Sequence, residues 1–316
     1  MTKRLRPSQD LHGTRQPRYL AVGHITLDLA DTSATDGTVG GTVLFATATA
    51  AALGWRAGLA TSSPVNASAQ AILHKAEVSI YSFPSRGCAT SSTPDHEPRT
   101  IFAHRYRADG SRHQTLLSRA PALPAAAIPE AWHEVDILHV APVLDEVSAA
   151  SVADVSAGFV GLTAQGFMRE ATIGRPVRPR IPAVPEALLE RAQGIVVSTE
   201  DIAAAPDWPH RVTRPGRWVA VTDGPRGAIL FIDGRRIHQP AFRAQSIDPT
   251  GAGDIFAAAL FMQMAGGSLP EQALRFAAAA GAWSVGFRAD DPRVAPSLDA
   301  VHEVLSRAES GPAQEG

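Results

Sequence analysis

The stretch that most constrains this chain is Ser246-Ile-Asp-Pro-Thr-Gly-Ala-Gly-Asp-Ile-Phe-Ala-Ala-Ala-Leu260. Its glycines, Gly251 and Gly253, permit the dihedral angles of a tight turn. After Asp254 the residues are almost all apolar, which predicts a buried helix that ends at the glycine pair 266–267. The chain is therefore expected to fold a glycine turn directly onto the first turn of a buried helix.

The start of this helix is a candidate anion site with a carboxylate beside it. The first N–H groups of a helix lack intrahelical acceptors, and the helix dipole adds roughly half a positive charge at the same end. We therefore expect the amides of Gly251, Ala252, Gly253 and Asp254 to face a bound phosphate. Asp254 would then be able to remove the proton from a substrate hydroxyl. The alternative is that Asp254 only caps the helix.

The full string Asp-Pro-Thr-Gly-Ala-Gly-Asp-x-Phe, residues 248–256, resembles the C-terminal signature of the PfkB (ribokinase-like) family of carbohydrate and nucleoside kinases. The resemblance implies that Asp254 is the catalytic base and that residues 251–253 form the anion hole. It also implies an α/β fold, a ribokinase-like three-layer α/β/α domain with a mostly parallel central sheet and a small β lid. In motif order the resemblance extends over residues 18–305.

Composition limits the classes of function. A chain of 316 residues with 45% hydrophobic content can bury one large core, and its net charge of −2 gives no reason to expect nucleic acid as a partner. The single cysteine, Cys88, excludes an intramolecular disulfide and a zinc cluster built on cysteines. No apolar run is long enough to span a membrane or to act as a secretory signal, so the sequence predicts no membrane partner and a cytoplasmic location.

The sequence predicts one kinase-like domain between two flexible ends. Residues 1–17 are polar, basic and proline-containing, which predicts a disordered leader, and residues 306–316 predict a flexible tail. The domain between them, residues 18–305, includes an alanine-rich helix near its end. Ser268-Leu-Pro-Glu271 is expected to open that helix as a capping box.

The lid is expected from two pieces of chain, residues 31–39 and residues 88–115. The second contains an alternating segment and a turn typical of a hairpin, and the first is short, so the lid should be reduced. Three histidines lie in the second piece: His96, His104 and His113. Their spacing matches no metal site, and we expect them to be solvated polar residues.

The N-terminal part contains candidates for binding a hydroxylated substrate. Asp28 follows the first predicted strand, where a carboxylate either caps a turn or contacts a ligand. The diglycine Gly40-Gly41 opens a small-residue helix and resembles the family's N-terminal signature, which implies close approach of a substrate. Many sugar kinases of the family have asparagine where this chain has Phe45. Phe45 is therefore either helix core or an apolar face against the substrate.

An arginine forms a further candidate contact. Arg169 follows a predicted strand, where it could meet phosphate or substrate oxygens or lie at the surface. The segment Gln-x-x-x-Arg that ends at Arg169 is similar to a subset of PfkB proteins that includes the inositol kinase-like branch.

The nucleotide side is predicted from two later strand ends. Where the family has Asn-x-x-Glu near magnesium, this chain has Ser198-x-x-Asp201, so Asp201, with Glu200 as the rival, is the candidate for organising a magnesium water shell. Simple capping of a helical turn is the alternative. A second element resembles the family's Thr-x-Gly-x-x-Gly, which lines the nucleotide. The matching residues are Thr222, Gly224 and Gly227.

The resemblance implies ATP-dependent transfer of a phosphoryl group to a hydroxyl of a small sugar, cyclitol or nucleoside. It implies ATP and Mg²⁺ as cofactors, leaves room for a monovalent cation, and suggests a monomer or homodimer. The alternative is a catalytically weak regulator on the same fold that binds a nucleotide or metabolite. An oxidoreductase is a poorer hypothesis, because no Gly-x-Gly-x-x-Gly follows the first strand.

Overall fold

We analysed the protein in a computed structural model, which describes residues 16–34, 36–83, 98–106, 112–126 and 128–309. The strands, in chain order, are β1 Tyr19–Val22, β2 Thr26–Leu29, β3 Gly37–Gly40, β4 Ala57–Thr61, β5 Ser79–Ser82, β6 Thr100–Tyr106, β7 Arg112–Ser118, β8 Glu134–Val140, β9 Ser156–Thr163, β10 Arg169–Glu170, β11 Arg178–Pro179, β12 Gly194–Ser198, β13 Trp218–Thr222, β14 Ala228–Ile232 and β15 Arg235–Gln239. The helices are α1 Thr42–Ala52, α2 Ala67–Lys75, α3 Glu186–Arg191, α4 Trp208–Val212, α5 Ala252–Ala265, α6 Pro270–Ser284 and α7 Leu298–Glu309.

A nine-stranded sheet forms the centre of the molecule, in the order β15-β14-β13-β12-β9-β8-β1-β4-β5. Every pair from β13 to β5 is parallel, and the two pairs at one edge, β13–β14 and β14–β15, are antiparallel. The central strands read as nearly continuous apolar runs because both faces of the sheet are covered. Their carboxyl ends open along one edge, where ligands bind in sheets of this kind.

Two apolar layers cover the sheet. One layer packs α1, α5 and α6 against one face, with α5 almost wholly buried, and the other places α3 and α4 against the opposite face. Close packing of α5 requires a glycine beneath it, since a Cβ on Gly161 would lie 2.5 Å from the ring of Phe261. The expected three-layer arrangement is therefore present, and it fixes the N-terminus of α5 at the open edge of the sheet.

The lid is a separate four-stranded sheet in the order β3-β2-β6-β7. The segment that the sequence predicts as the first strand breaks at Gly23. Its second half is β2 of the lid, so Asp28 lies on a lid strand and not at the end of a central strand. The lid strands are thus residues 26–29, 37–40, 100–106 and 112–118. The predicted pieces, 31–39 and 88–115, overlap them only in part, and residues 84–97 and 107–111 lie outside the described chain.

A segment from the main domain lies along the outer edge of the lid; we call residues 169–180 the strap. Gly174 N donates to Leu116 O at 2.7 Å, Leu116 N to Arg175 O at 3.3 Å, and Val177 N to Gln114 O at 2.8 Å. Ala171 and Val177 pack on a small cluster that the lid shares with the loop after β8. The strap therefore connects the end of β9 to the last lid strand.

Two boundary predictions need correction. Pro17 is buried and Gln16 donates a side-chain hydrogen bond to Glu134 O at 2.7 Å, so the ordered domain begins before residue 18. The chain remains helical through Glu309, since Leu298–Glu309 forms α7, so the tail cannot begin at residue 306. Residues 1–15 and 310–316 lie outside the described chain.

The predicted capping box of α6 is wrong. Leu269, not Ser268, occupies the N-cap position and provides no side-chain cap. The Ser268 hydroxyl donates to Gln263 Oε1 at 2.7 Å, and Pro270 at the first helical position has no N–H to satisfy. The Ser268 hydroxyl therefore bonds to α5 and is not available to cap α6.

Candidate active site

A cavity of about 180 Å³ opens between the lid, the carboxyl ends of the central strands and the N-terminus of α5. It brings together seven of the residues predicted from the sequence: Asp28, Gly41, Phe45, Arg169, Gly251, Gly253 and Asp254. Its other lining residues are Thr26, Thr42, Phe102, Gln114, Val143, Gln165, Pro249 and Thr250. The candidate substrate residues and the candidate base thus share one small, mostly polar space.

Gly251, not Asp254, is the N-cap of α5, so the interpretation of Asp254 as a mere N-cap is wrong. Gly251 has φ +80°, a left-handed conformation that glycine adopts without steric cost, and Asp254 is the third residue of the helix. The carboxyl group of Asp254 projects into the cavity instead of closing the turn.

The amides of the turn are only partly free, which narrows the predicted anion hole. Ala252 N donates to Pro249 O at 3.3 Å, and Asp254 N donates to Gly251 O at 3.0 Å. Within the described chain the N–H groups of Gly251 and Gly253 have no such acceptor. These two amides are therefore the N–H groups available to donate hydrogen bonds to an anion at this turn.

The two glycines of the turn are needed for different reasons. A Cβ on Gly251 would lie 2.7 Å from the ring of Phe45, in addition to the strain of its positive φ. A Cβ on Gly253 would meet no protein atom within 4 Å, and its φ is not positive. A side chain at Gly253 would therefore not obstruct the turn, and it would contact only a ligand that approaches the Gly253 amide.

The electrostatic environment of Asp254 suits a proton acceptor. Burial raises the pKa of its carboxyl group from 3.8 to about 6, and the negative charges of Asp201 and Asp28 act in the same direction. A hydrogen bond from the Thr42 hydroxyl and the positive charge of Arg169 lower this pKa. The carboxyl is thus largely ionised near neutral pH yet remains able to accept a proton.

Phe45 is a core residue that also reaches the cavity. Its side chain is 1% exposed and belongs to the main apolar cluster, which supports the core interpretation. The same ring lies against Gly251 and lines the cavity, so it forms an apolar support beneath the turn. The two interpretations offered by the sequence are not exclusive in the structure.

The lid positions Asp28 above this turn. Asp28 Oδ1 lies 3.4 Å from Nε2 of His104, and the Thr26 hydroxyl donates to Asp28 Oδ1 at 3.5 Å. Gly40 faces Thr26 across the β2–β3 pair, and a Cβ there would lie 2.7 Å from Thr26 Oγ1 and 3.0 Å from Asp28 Oδ2. Gly40 therefore makes room for the carboxylate, while Gly41 itself lines the cavity.

The expectation that the lid histidines are solvated is wrong for His104. Its side chain is buried beside Asp28, whereas His113 is half-buried and His96 lies outside the described chain. In the described part of the chain, no three His, Cys, Asp or Glu side chains are grouped to hold a metal ion.

Arg169 enters the cavity from the first residue of the strap, with Gln165 from the helical turn Ala164–Met168 just before it. Gln114 enters from β7 on the opposite wall. Arg169 is close enough to Asp254 to lower the pKa of its carboxyl group. Arg169 is therefore not a simple surface arginine.

At the end of β12, where the sequence predicts the nucleotide side, Asp201 and Ser198 hydrogen-bond to each other. The Ser198 amide and hydroxyl donate to Asp201 Oδ2 at 2.9 and 2.8 Å, and Asp201 N donates to the Ser198 hydroxyl at 3.1 Å. Asp201 is buried and Glu200 is exposed. This is the geometry of a capped turn, in which the Ser198 groups bond to Oδ2 of Asp201 and not to its Oδ1.

The glycine turn after β13 lies outside the cavity. Thr222 donates its hydroxyl to Val197 O at 3.3 Å, and Gly224 has φ +51° with open space around it. Gly227 has φ +98°, and a Cβ there would lie 2.1 Å from Gln239 O, so local packing alone requires a glycine. In the same turn, the Asp223 carboxylate pairs with the Arg226 guanidinium, and this hydrogen bond lowers the pKa of the Asp223 carboxyl group.

Sequence reasoning missed several polar residues of the site, among them Thr42, Gln114 and Gln165. Thr42 directly follows the diglycine, and Gln165 begins the Gln-x-x-x-Arg segment, so the sequence contained both within motifs already recognised. Gln114 has no such indication, because only the pairing of β6 with β7 turns it toward the cavity.

The fold and this cavity define a ribokinase-like α/β protein with a cleft between the sheet edge and a β lid. A pyrophosphate-dependent kinase of the ribokinase family, solved with a pyrophosphate analog and myo-inositol, has the same fold with a TM-score of 0.70 at 20% identity, over 92% of this chain and 99% of that one. The ribokinase of Arabidopsis thaliana, solved with ribose and ATP, gives a TM-score of 0.63 at 20% identity over 92% and 99% of the two chains.

Sequence comparisons identify the family that the chain resembles. Residues 185–291 match the description pfkB family carbohydrate kinase. The chain is 37% identical over 123 residues to the ribokinase of Arabidopsis thaliana and 33% identical over 132 residues to the inositol 3-kinase of Zea mays, covering 38% and 41% of this chain. These alignments span about a third of each relative, 32% and 34%. The resemblance to the PfkB family is confirmed.

None of the described helices combines the length and the apolar character needed to cross a membrane.

Proposed function

We propose that this protein transfers a phosphoryl group from a phosphate donor to a hydroxyl of a small sugar or cyclitol. The observation that carries the proposal is the convergence of Asp254, the free amides of the α5 turn and Arg169 on one cavity beneath the lid. A base, an anion-binding turn and a cation are the parts that phosphoryl transfer requires. The matches to ribokinase and to inositol 3-kinase support the same class of acceptor.

In the proposed mechanism, the acceptor hydroxyl lies between Asp254 and the transferred phosphorus. Asp254 accepts the hydroxyl proton as the new O–P bond forms and the donor's bridging O–P bond breaks. The amides of Gly251 and Gly253 stabilise charge on the equatorial phosphate oxygens. Base catalysis of this type contributes roughly 10²–10⁴-fold to the rate.

The size and lining of the cavity favour a compact acceptor. Its volume of about 180 Å³ is below the range of about 300–1,000 Å³ that is usual for larger ligands. Asp28, Gln114 and Gln165 offer acceptors and donors for several hydroxyls, and Phe45 offers one apolar face. A single ring with many hydroxyls fits this lining better than a nucleoside, which adds a base to its sugar.

ATP is the proposed donor and Mg²⁺ the proposed ion. Mg²⁺ would neutralise charge on the donor phosphates, and Asp201 is the residue that could hold it through water. Glu200 is exposed, and we do not propose it as a residue that holds the ion. The proposal leaves room for a monovalent cation and for a monomeric or homodimeric state.

The test is a panel of acceptors and donors with purified protein. Monosaccharides, inositols and nucleosides are each offered with ATP or pyrophosphate and Mg²⁺, and phosphorylated product is measured by mass spectrometry. We expect product with a sugar or cyclitol and none with the Asp254→Asn variant. Saturable binding of nucleotide or sugar without any product would favour the alternative, a regulator on the same fold.

A further inference from the structure

The lid and the main sheet are joined at four crossings of the chain, and all four meet at His24. His24 itself lies on the crossing from β1 to β2, and Gly41 lies on the crossing from β3 to α1. Thr100 opens β6, while Ala120 and Pro121 follow β7 on the way to β8. No residue of this group except Gly41 lines the cavity.

Direct contacts connect the imidazole of His24 to these crossings. Its Nδ1 lies 2.9 Å from Thr100 Oγ1, and its Nε2 lies 2.9 Å from Pro121 O and 2.9 Å from the Ser62 hydroxyl at the end of β4. A Cβ on Gly41 would lie 2.4 Å from His24 O, so only glycine allows this crossing to pass so close. The imidazole thus touches lid and main sheet together.

The contacts match a neutral imidazole with one hydrogen. The Pro121 carbonyl can only accept, so Nε2 carries the hydrogen, and Nδ1 then accepts from the Thr100 hydroxyl. Thr100 Oγ1 in turn accepts from Ala120 N at 3.1 Å. His24 is fully buried, and burial lowers the pKa of its imidazole, which agrees with the neutral form. Each nitrogen of the ring therefore has a suitable partner.

A buried carboxyl group holds the same crossing from the side of the main sheet. Glu146, which is 1% exposed, accepts from His24 N at 2.9 Å, Val143 N at 2.9 Å and Leu144 N at 2.7 Å. Val143, whose N–H makes one of these bonds, also lines the cavity. The backbone of His24 is thus fixed to the loop after β8 while its ring is fixed to the lid.

The residues that line the cavity from the lid follow closely on these anchors. Thr26 and Asp28 are the second and fourth residues after His24, and Phe102 is the second residue after Thr100. Any rotation of the lid about the crossings would move all three relative to Asp254. We infer that His24 is a positioning residue that fixes the lid at the distance from the α5 turn that acceptor binding requires. This role rests on the proposed kinase function.

The test compares Thr100→Val with Tyr19→Phe. Thr100→Val removes the hydroxyl bonded to Nδ1 of His24, and Tyr19→Phe removes the hydroxyl 2.7 Å from Nδ1 of His139, a buried histidine of the main sheet. We expect Thr100→Val to raise the acceptor KM about tenfold while the donor KM stays within about twofold, and to speed amide hydrogen exchange in β6. Tyr19→Phe should leave the acceptor KM unchanged, and Thr100→Ser should restore it.

Two outcomes would overturn the inference. The first is an unchanged acceptor KM and unchanged exchange in β6 for folded Thr100→Val. The second is equal increases of acceptor KM and donor KM, which would mean a general loss of structure. If Thr100→Val does not fold, Ser62→Ala removes a hydroxyl from the other ring nitrogen and is measured in the same way. If the wild-type protein phosphorylates no acceptor, the proposed function fails. Amide hydrogen exchange in β6 still tests whether His24 anchors the lid.

Discussion

The acceptor side and the donor side of the cleft are built differently. On the proposed acceptor side, the lid, the strap and the α5 turn enclose a cavity that Asp28, Arg169 and Asp254 line together. On the donor side, Ser198 and Asp201 bind each other, and Asp223 binds Arg226, outside that cavity. The acceptor site is thus preformed in the chain itself, whereas the donor side offers turns whose polar groups are largely satisfied internally.

This difference indicates where a substitution should act. A change on the acceptor side alters an enclosed space in which the pKa of Asp254 is raised, and should affect turnover and acceptor binding. A change on the donor side alters an open capped turn and should affect stability by about the value of one cap. Substitutions on the two sides should therefore differ in their effects on turnover and stability.

The largest effect is expected from Asp254→Asn, at the centre of the acceptor side. Turnover should fall at least about 100-fold with donor affinity retained, because an amide cannot accept the hydroxyl proton. The raised pKa of Asp254 means that the folded protein loses stability as pH rises from about 4 through about 6, since the unfolded carboxyl ionises first. Asp254→Asn should therefore melt at a higher temperature than wild type at pH 8. Turnover close to that of wild type would disprove the base assignment.

Phe45→Asn should cost on the order of 3 kcal/mol or more of unfolding free energy. The substitution buries an unpaired amide in the apolar cluster and removes aromatic area beneath Gly251. Phe45→Leu is the matched control, because it keeps the site apolar and should cost less. Thermal melts measure both variants. A small loss of stability combined with a shift in acceptor preference would mean that Phe45 is mainly a substrate contact.

The two glycines of the α5 turn should respond differently to alanine. Gly251→Ala should destabilise the protein by about 1–3 kcal/mol, because of its positive φ and the contact with Phe45. Gly253→Ala should leave the melting temperature almost unchanged yet weaken donor binding, since only a ligand would meet the new methyl group. Denaturant unfolding and donor KM separate these effects. Equal donor KM in Gly253→Ala and wild type would remove the anion-hole assignment of that amide.

Thr42→Val should move the pH dependence of the reaction. Activity is expected to rise as pH passes about 6, because Asp254 must be ionised to act as the base. The Thr42 hydroxyl lowers the pKa of Asp254, so its removal should shift this rise to higher pH and reduce kcat/KM at pH 6 by about tenfold. Thr42→Ser should restore the wild-type profile. A rise at unchanged pH in Thr42→Val would show that the bond does not matter for the base.

The smallest effect is expected from Ser198→Ala on the donor side. Loss of the hydroxyl that bonds Asp201 should cost about 1 kcal/mol, the usual value of such a cap, with little change in turnover. Asp201→Asn, measured beside it, tests the magnesium proposal through the Mg²⁺ concentration needed for half-maximal activity. A strong dependence in Asp201→Asn but not in Ser198→Ala would mean that the donor side is more than a capped turn.

Much of the fold could be predicted because it depends on local patterns. The apolar runs of β8, β9 and β13 and the helix after Asp254 carry their structure in their own residues. The lid was harder, since β2 reads like a continuation of β1 and only its parallel pairing with β6 moves it to another sheet. Ser268 failed as a cap for the same reason, because a tertiary contact with Gln263 competes for its hydroxyl.

The candidate site was predictable where a motif contains the whole geometry. The α5 turn lies within one short string, so Gly251, Gly253 and Asp254 could be named together. Gln114 and His104 could not, because their position depends on strand pairing across the lid. Asp201 is engaged in hydrogen bonds with Ser198 in both directions, and the residue types alone do not reveal this pairing.

The strap also has a consequence for association between molecules. A strand at the edge of a sheet exposes unpaired N–H and C=O groups that can recruit another chain. The strap hydrogen-bonds to β7 at Gln114 and Leu116, so the protein's own backbone already occupies this edge of the lid. An extended peptide or a second lid would have to displace the strap to add a strand there. Any pairing of lids through their backbones is therefore directed to the opposite edge of this sheet, at β3.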